Sequence, residues 1–195
     1  MAYELSFEKA VDHEMLYEVG SWWKLTPDVE AGLINTEEQR TACGYSNDPA
    51  DHGGETKFGV SKAANPDLNI TSLDWEAAKR VYYKRYWLQG DCQQMPPRLA
   101  VLHFDGCVNH GIGRAAKFLQ KSIGTIADGD IGPATLALIS KFNEIDICNK
   151  ICDQRANFYR SIVYTIPTQG KYLGGWLRRV QEMREFTTNP ANIFQ

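Results

Sequence analysis

The stretch that most constrains this chain is residues 44–61, GYSNDPADHGGETKFGVS. It holds three carboxylates (Asp48, Asp51 and Glu55), one proline and four glycines in eighteen residues. A helix does not tolerate that density of breakers, and a strand loses ladder donors to proline. The stretch is therefore expected to be either an ordered polar loop or a tight hairpin turning at Gly53 and Gly54. Carboxylates held beside glycine backbone on a loop are a common setting for a functional site. The plainer alternative is a solvated surface turn, and the rest of the chain has to decide between them.

Upstream, Ser6 is placed to cap a helix starting at Phe7, with Glu8 favourably set in its first turn. Phe7, Ala10, Val11, Met15 and Val19 recur at helical spacing and mark a core-facing stripe. At about 100° per residue, Glu14 and Glu18 fall within roughly 20° of that stripe. A carboxylate on an apolar face loses hydration and holds its proton more tightly, as a general acid must. The alternative for either glutamate is a place at the stripe's edge, paired with a basic side chain. Gly20 ends the helix. Residues 21–43, SWWKLTPDVEAGLINTEEQRTAC, form a long excursion of weak periodicity. Unstructured segments of this length are unusual in a compact domain and are often functional. Trp22 and Trp23 could stack on sugar rings, but anchoring the excursion to the body is the preferred reading.

Downstream the pattern is helical. Thr71-Ser72 precedes a helix over 73–87, and a predominantly buried helix carrying His103, Asp105 and Asn109 spans 98–110. Further helices are expected over 114–123, from Pro133, over about 145–163 and near 172–186, with an irregular tail after Thr187. Pro133 suits the first position of its helix. Strand signals are almost absent, so the fold class is mainly α with at most a small β-hairpin near 44–60. No repeat or low-complexity run is visible.

Net charge is −3 with a pI near 5.8, which argues against a general nucleic-acid binder. No window approaches the apolar length of a membrane span, and MAYELSFEKAVDHEM lacks the apolar run of a signal peptide. Synthesis in a cytoplasm is expected, with no stable membrane insertion. The five cysteines (43, 92, 107, 148 and 152) are odd in number and scattered. Buried free thiols are the preferred reading, and a Cys43–Cys92 pair stays open. The histidines at 13, 52, 103 and 110 do not read as a zinc set, so neither metal nor cofactor is expected.

Chemistry is thus confined to a helix-end glutamate and a loop bearing Asp48, Asp51, Glu55 and Thr56. That is a glycosidase layout, in which one carboxyl protonates the leaving oxygen while another handles water or developing positive charge. Ser46 and Ser61 lack a nucleophile elbow, and Cys107 lies in an apolar helix.

Residues 44–61 resemble the signature of glycoside hydrolase family 108, the phage and secretion-associated N-acetylmuramidases, which typically reads EGGYxNDPxDxGGxTxxGI. Residues 104–120 (FDGCVNHGIGRAAKFLQ) and 128–135 (DGDIGPAT) are similar to the peptidoglycan-binding portion that follows in that family. The resemblance continues through RANFYRSIV and GWLRRV and leaves out only residues 21–43. It implies a lysozyme-like helical fold with a catalytic segment over 1–90, interrupted by an insertion at 21–43. A helical peptidoglycan-binding segment over 91–195 would pack with it as one unit. In the family the catalytic glutamate directly precedes Gly-Gly-Tyr, whereas Ala42-Cys43 stand before Gly44-Tyr45 here. Taken literally, the acid is lost and the protein only binds. Taken as an insertion after the first helix, FEKAVDHEMLYEVG supplies the acid and selects Glu18 over Glu14. The second reading is preferred.

Carried over by position, the resemblance implies Glu18 as general acid, Asp51 as the carboxylate that activates water, and Thr56 beside that water. Tyr45, Asp105 and Asn109 are implied to line the saccharide site, with Asp48 and Glu55 holding the loop. The implied activity is cleavage of the β-1,4 bond between N-acetylmuramic acid and N-acetylglucosamine, by an endolysin or a virion-carried lysozyme. The rivals are a non-catalytic wall-binding virion protein and a chitinase. Peptidoglycan is the implied partner of a monomeric enzyme, reached through a holin-type release partner or a particle.

Overall fold

The computed structural model describes residues 3–48 and 53–194, with the backbone alone for Trp22 and Phe194. The chain is mainly α and divides into two compact units: Val11–Arg85, and Met1–Ala10 together with Tyr86–Gln195. Helix α1 (Leu5–Glu18) passes from one unit to the other after Ala10. Its predicted stripe is buried at Phe7, Ala10, Val11 and Met15.

In the first unit the excursion folds into two short helices, α2 (Pro27–Glu30) and α3 (Glu37–Ala42). Each has its own start signal. Thr26 accepts the Val29 N–H ahead of Pro27, and Thr36 with Gln39 forms a reciprocal capping box. Neither helix carries an apolar stripe, which is why periodicity missed them. Trp23 packs on Phe58 and Trp75, with ring centroids 6.2 and 4.9 Å away. A buried lysine ties the excursion down further: Lys57 Nζ donates to the carbonyls of Gly32 (2.5 Å) and Thr71 (2.8 Å). Gly32 lies against the Leu73 carbonyl at φ +69°, where a side chain would collide.

The hairpin forms, but it turns later than expected. Strands β1 (Thr56–Lys57) and β2 (Val60–Ser61) pair antiparallel around Phe58-Gly59, not around Gly53-Gly54. Both turn residues have positive φ, 52° and 71°, as a type I′ hairpin requires. A further bridge joins Ser46 to Thr56 through two backbone hydrogen bonds of 2.9 and 2.8 Å. It closes the loop between those two residues. Helix α4 (Trp75–Tyr82), capped by Asp74, completes the unit and runs on as a π-helical turn over Tyr83–Trp87.

The second unit is built around α5 (Pro97–His110), buried continuously from Arg98 to Cys107. A helix covered on all sides belongs in a core. It packs with α6 (Ile112–Ser122), α8 (Glu144–Thr165) and α9 (Gly170–Thr188). The Glu144 carboxylate of α8 accepts the Arg98 and Leu99 N–H groups at 2.7 and 3.1 Å, satisfying orphan donors at the start of α5. Phe7, Trp87 and Phe104 form an aromatic cluster with centroids 5.4–5.9 Å apart. Helix α7 (Pro133–Ile139) starts at Pro133 as predicted. The tail is not irregular: Pro190–Phe194 forms a last helix, α10.

Candidate active site

Glu18 is the last residue of α1, and Gly20 turns the chain away at φ +81°. The α-helix stops there, and a single 3₁₀ turn (Gly20–Trp22) follows. The stripe accordingly buries Glu14 (1% exposed) and leaves Glu18 exposed, which corrects the expectation of a poorly hydrated acid at 18.

Its carboxylate nonetheless has a defined neighbour. A Cβ built on Gly59 would lie 2.9 Å from Glu18 Oε2 and 3.1 Å from Glu18 Cγ, and would collide with the Tyr82 hydroxyl. Glycine at 59 thus satisfies the turn's positive φ and also lets the glutamate approach the hairpin. Tyr82, buried on α4, donates its hydroxyl to the Phe58 carbonyl at 3.0 Å and fixes the same turn. Neither Gly59 nor Tyr82 was singled out from the sequence. The signal at 59 was a glycine in the motif, whereas Tyr82 reaches the turn from twenty-four residues downstream.

The motif residues organise the facing loop. Thr56, half-buried on β1, bridges to Ser46 through its backbone and donates its hydroxyl to the Gly54 carbonyl at 3.1 Å. Tyr45 donates to Glu55 Oε1 at 2.9 Å, and Thr71 donates to the same oxygen at 2.5 Å. Arg40 lies over the Tyr45 ring at 5.3 Å. Glu55 therefore braces the loop by accepting from side chains rather than from backbone N–H groups. Burial lowers the Lys57 ammonium from its ordinary value, opposed by Cys43, Glu55 and Asp74. Asp48 is exposed, and Asp51 lies outside the described residues.

The second unit holds the other two expected saccharide contacts. Asp105 is 2% exposed and ion-paired with Arg155 (2.5 Å) and Arg179 (2.8 Å). The two guanidinium groups hold its carboxyl below the usual range against the cost of burial. This carboxylate is committed to charge pairing inside α5, α8 and α9, which removes it from the candidate sugar contacts. Asn109 is exposed and donates to the Tyr159 hydroxyl at 2.9 Å. Tyr159 in turn stacks on Trp176 at 5.0 Å.

Sequence comparison accords with this layout. Residues 37–111 match the glycosyl hydrolase 108 family model, and residues 114–181 match that of the predicted peptidoglycan domain. The first segment is thus similar to glycosyl hydrolase family 108 and the second to the predicted peptidoglycan domain. Together they define a peptidoglycan-directed glycoside hydrolase of mainly α, lysozyme-like fold. Among solved structures, SagA of Brucella abortus is similar at 28% identity and a TM-score of 0.62, over 74% of this chain and 85% of that one. No curated protein sequence matches the chain.

Proposed function

We propose that this chain is an N-acetylmuramidase, cleaving the β-1,4 bond between N-acetylmuramic acid and N-acetylglucosamine with Glu18 as general acid. The observation that carries the reading is the approach of the Glu18 carboxylate to Gly59, beside the hydroxyl of Tyr82. That approach sets a helix-end acid against the hairpin of the motif segment, despite the intervening excursion. An exposed glutamate becomes a competent acid once bound glycan displaces its water, since desolvation favours the neutral form. It then donates its proton to the glycosidic oxygen as the bond to the sugar carbon breaks.

Asp51 takes the second role by its place in the motif, accepting a proton from the water that attacks the sugar carbon. Thr56 and Tyr45 border that loop and contact the saccharide. An inverting outcome requires the two carboxyls to stand about 6.5–9.5 Å apart. Lysis by an endolysin, or from a virion, is the setting in which such an enzyme acts, and a holin-type partner would release it.

One observation favours a rival. The family match begins at residue 37, so α1 and Glu18 precede it, as in a binder whose acid has been lost. Release of reducing ends from purified peptidoglycan separates the two. The wild type releases them and Glu18→Gln does not, while both still sediment with the polymer. Binding by the wild type without new reducing ends would establish the rival.

A further inference from the structure

Three side chains in the second unit form a constellation that sugar cleavage does not use. Cys92 sits in a short 3₁₀ turn (Cys92–Gln94), and His103 and Cys107 lie four residues apart on one face of α5. All three are buried, at 0%, 2% and 0% exposure. Their donor atoms lie within 4.8 Å of one another. Tetrahedral Zn²⁺, with bonds of about 2.3 Å to sulfur and about 2.0 Å to nitrogen, wants such atoms roughly 3.5 Å apart. The cluster therefore needs only a small contraction.

One further feature points to an occupant. His103 Nε2 is buried without a hydrogen-bond partner, a state that native interiors avoid. Beside the thiols, Gly90 lets the backbone pack closely: a Cβ there would lie 2.6 Å from the Tyr86 carbonyl, 2.8 Å from Cys107 Sγ and 3.4 Å from Cys92 Sγ. Gly90 has no positive φ to explain its identity; the Tyr86 carbonyl and the Cys107 sulfur, both too close to a would-be Cβ, exclude a side chain there. The next residue, Asp91, takes a left-handed conformation at φ 56° as the chain turns into Cys92.

We propose that Cys92, His103 and Cys107 bind a thiophilic divalent cation, of which Zn²⁺ is the best fit, with a water or the Tyr86 carbonyl as fourth ligand. Closed on all sides, the site is structural. It clamps the turn after Trp87 onto the central helix α5.

The test is titration of the reduced full-length chain with Co²⁺ under anaerobic conditions. The expected result is saturation at one equivalent, with thiolate-to-cobalt charge-transfer bands and the d–d bands of a tetrahedral ion, both abolished by Zn²⁺. Cys107→Ser should lose the charge-transfer bands, and a Cys148→Ser, Cys152→Ser double variant should keep them. If Cys107→Ser does not fold, the wild type decides alone: its thermal midpoint must rise with Zn²⁺ and fall back with chelator. Absence of charge-transfer bands in the reduced wild type, bands that survive Cys107→Ser, or a midpoint indifferent to Zn²⁺ each overturn the site.

Discussion

Substituting Gly59 by alanine should damage the site far more than the fold. The residue sits at φ +71°, and its new Cβ would meet Glu18 Oε2 at 2.9 Å, Glu18 Cγ at 3.1 Å and the Tyr82 hydroxyl. The left-handed backbone alone costs an alanine about 1–2 kcal/mol. That corresponds to roughly 2–8 °C in melting temperature for a chain of this size. Relieving the overlap requires the glutamate to move by several tenths of an ångström or more. A misplacement of about 1 Å can cost on the order of 100-fold in rate. Gly124→Ala provides the comparison, because Gly124 has φ +72° with nothing within 4 Å of its would-be Cβ. Both variants should melt earlier, Gly59→Ala by somewhat more because it also displaces the Tyr82 hydroxyl, yet only Gly59→Ala should lose reducing-end release, by tenfold or more. Equal melting shifts with undiminished turnover in Gly59→Ala would refute the claim that the hairpin positions Glu18.

Lys57→Met leaves the Gly32 and Thr71 carbonyls without their buried donor, at a cost of about 2–4 kcal/mol. Limited proteolysis should then cut within residues 24–42, where the wild type resists. His110 is held down to about 3 by burial and by Arg155, Arg179 and Arg114, with Asp105 opposing and the Tyr159 hydroxyl 3.3 Å from Nε2. Its folded value lies below the ordinary 6.5, so the unfolded chain takes up a proton that the native state refuses. Stability should therefore fall as pH drops from about 6.5 toward 3, by up to about 1.4 kcal/mol per pH unit from this group. Denaturant midpoints across that range should show the slope, and His110→Gln should flatten it.

The helices of the second unit were legible because each combines a start signal with a period that survives packing, as at Pro133 and along 98–110. The excursion was not, since α2 and α3 have caps but no apolar face. Thr26-Pro27 and Thr36 with Gln39 stood in the sequence as start signals, and weak periodicity outweighed them. The turn was misplaced for a different reason. Gly-Gly is the stronger local signal, whereas Phe58 adopts positive φ in a turn braced by a long-range hydrogen bond from Tyr82. The aspartate at 105 looked like a site residue because its two arginine partners lie fifty and seventy-four positions away. Of the Cys92, His103 and Cys107 cluster, only the His103–Cys107 spacing was readable, and Cys92 joins it through tertiary packing.

The two glutamates of α1 allow a sharper discrimination than their spacing did. Both project near the apolar stripe, but Glu14 is 1% exposed and Glu18 is exposed at the helix end. A buried carboxylate is ordinarily there to satisfy its surroundings, and losing its charge disturbs them. An exposed one at a constructed approach, facing a glycine that has to be glycine, contributes little to folding. Glu14→Gln should therefore lower the melting temperature while sparing turnover per folded molecule. Glu18→Gln should leave the unfolding free energy within about 0.5 kcal/mol of the wild type, as surface changes do, and abolish turnover. The converse pattern, activity lost at 14 and kept at 18, would move the acid one helical turn back into the buried stripe. The Gly59 approach would then be a packing detail rather than the feature around which the site is built.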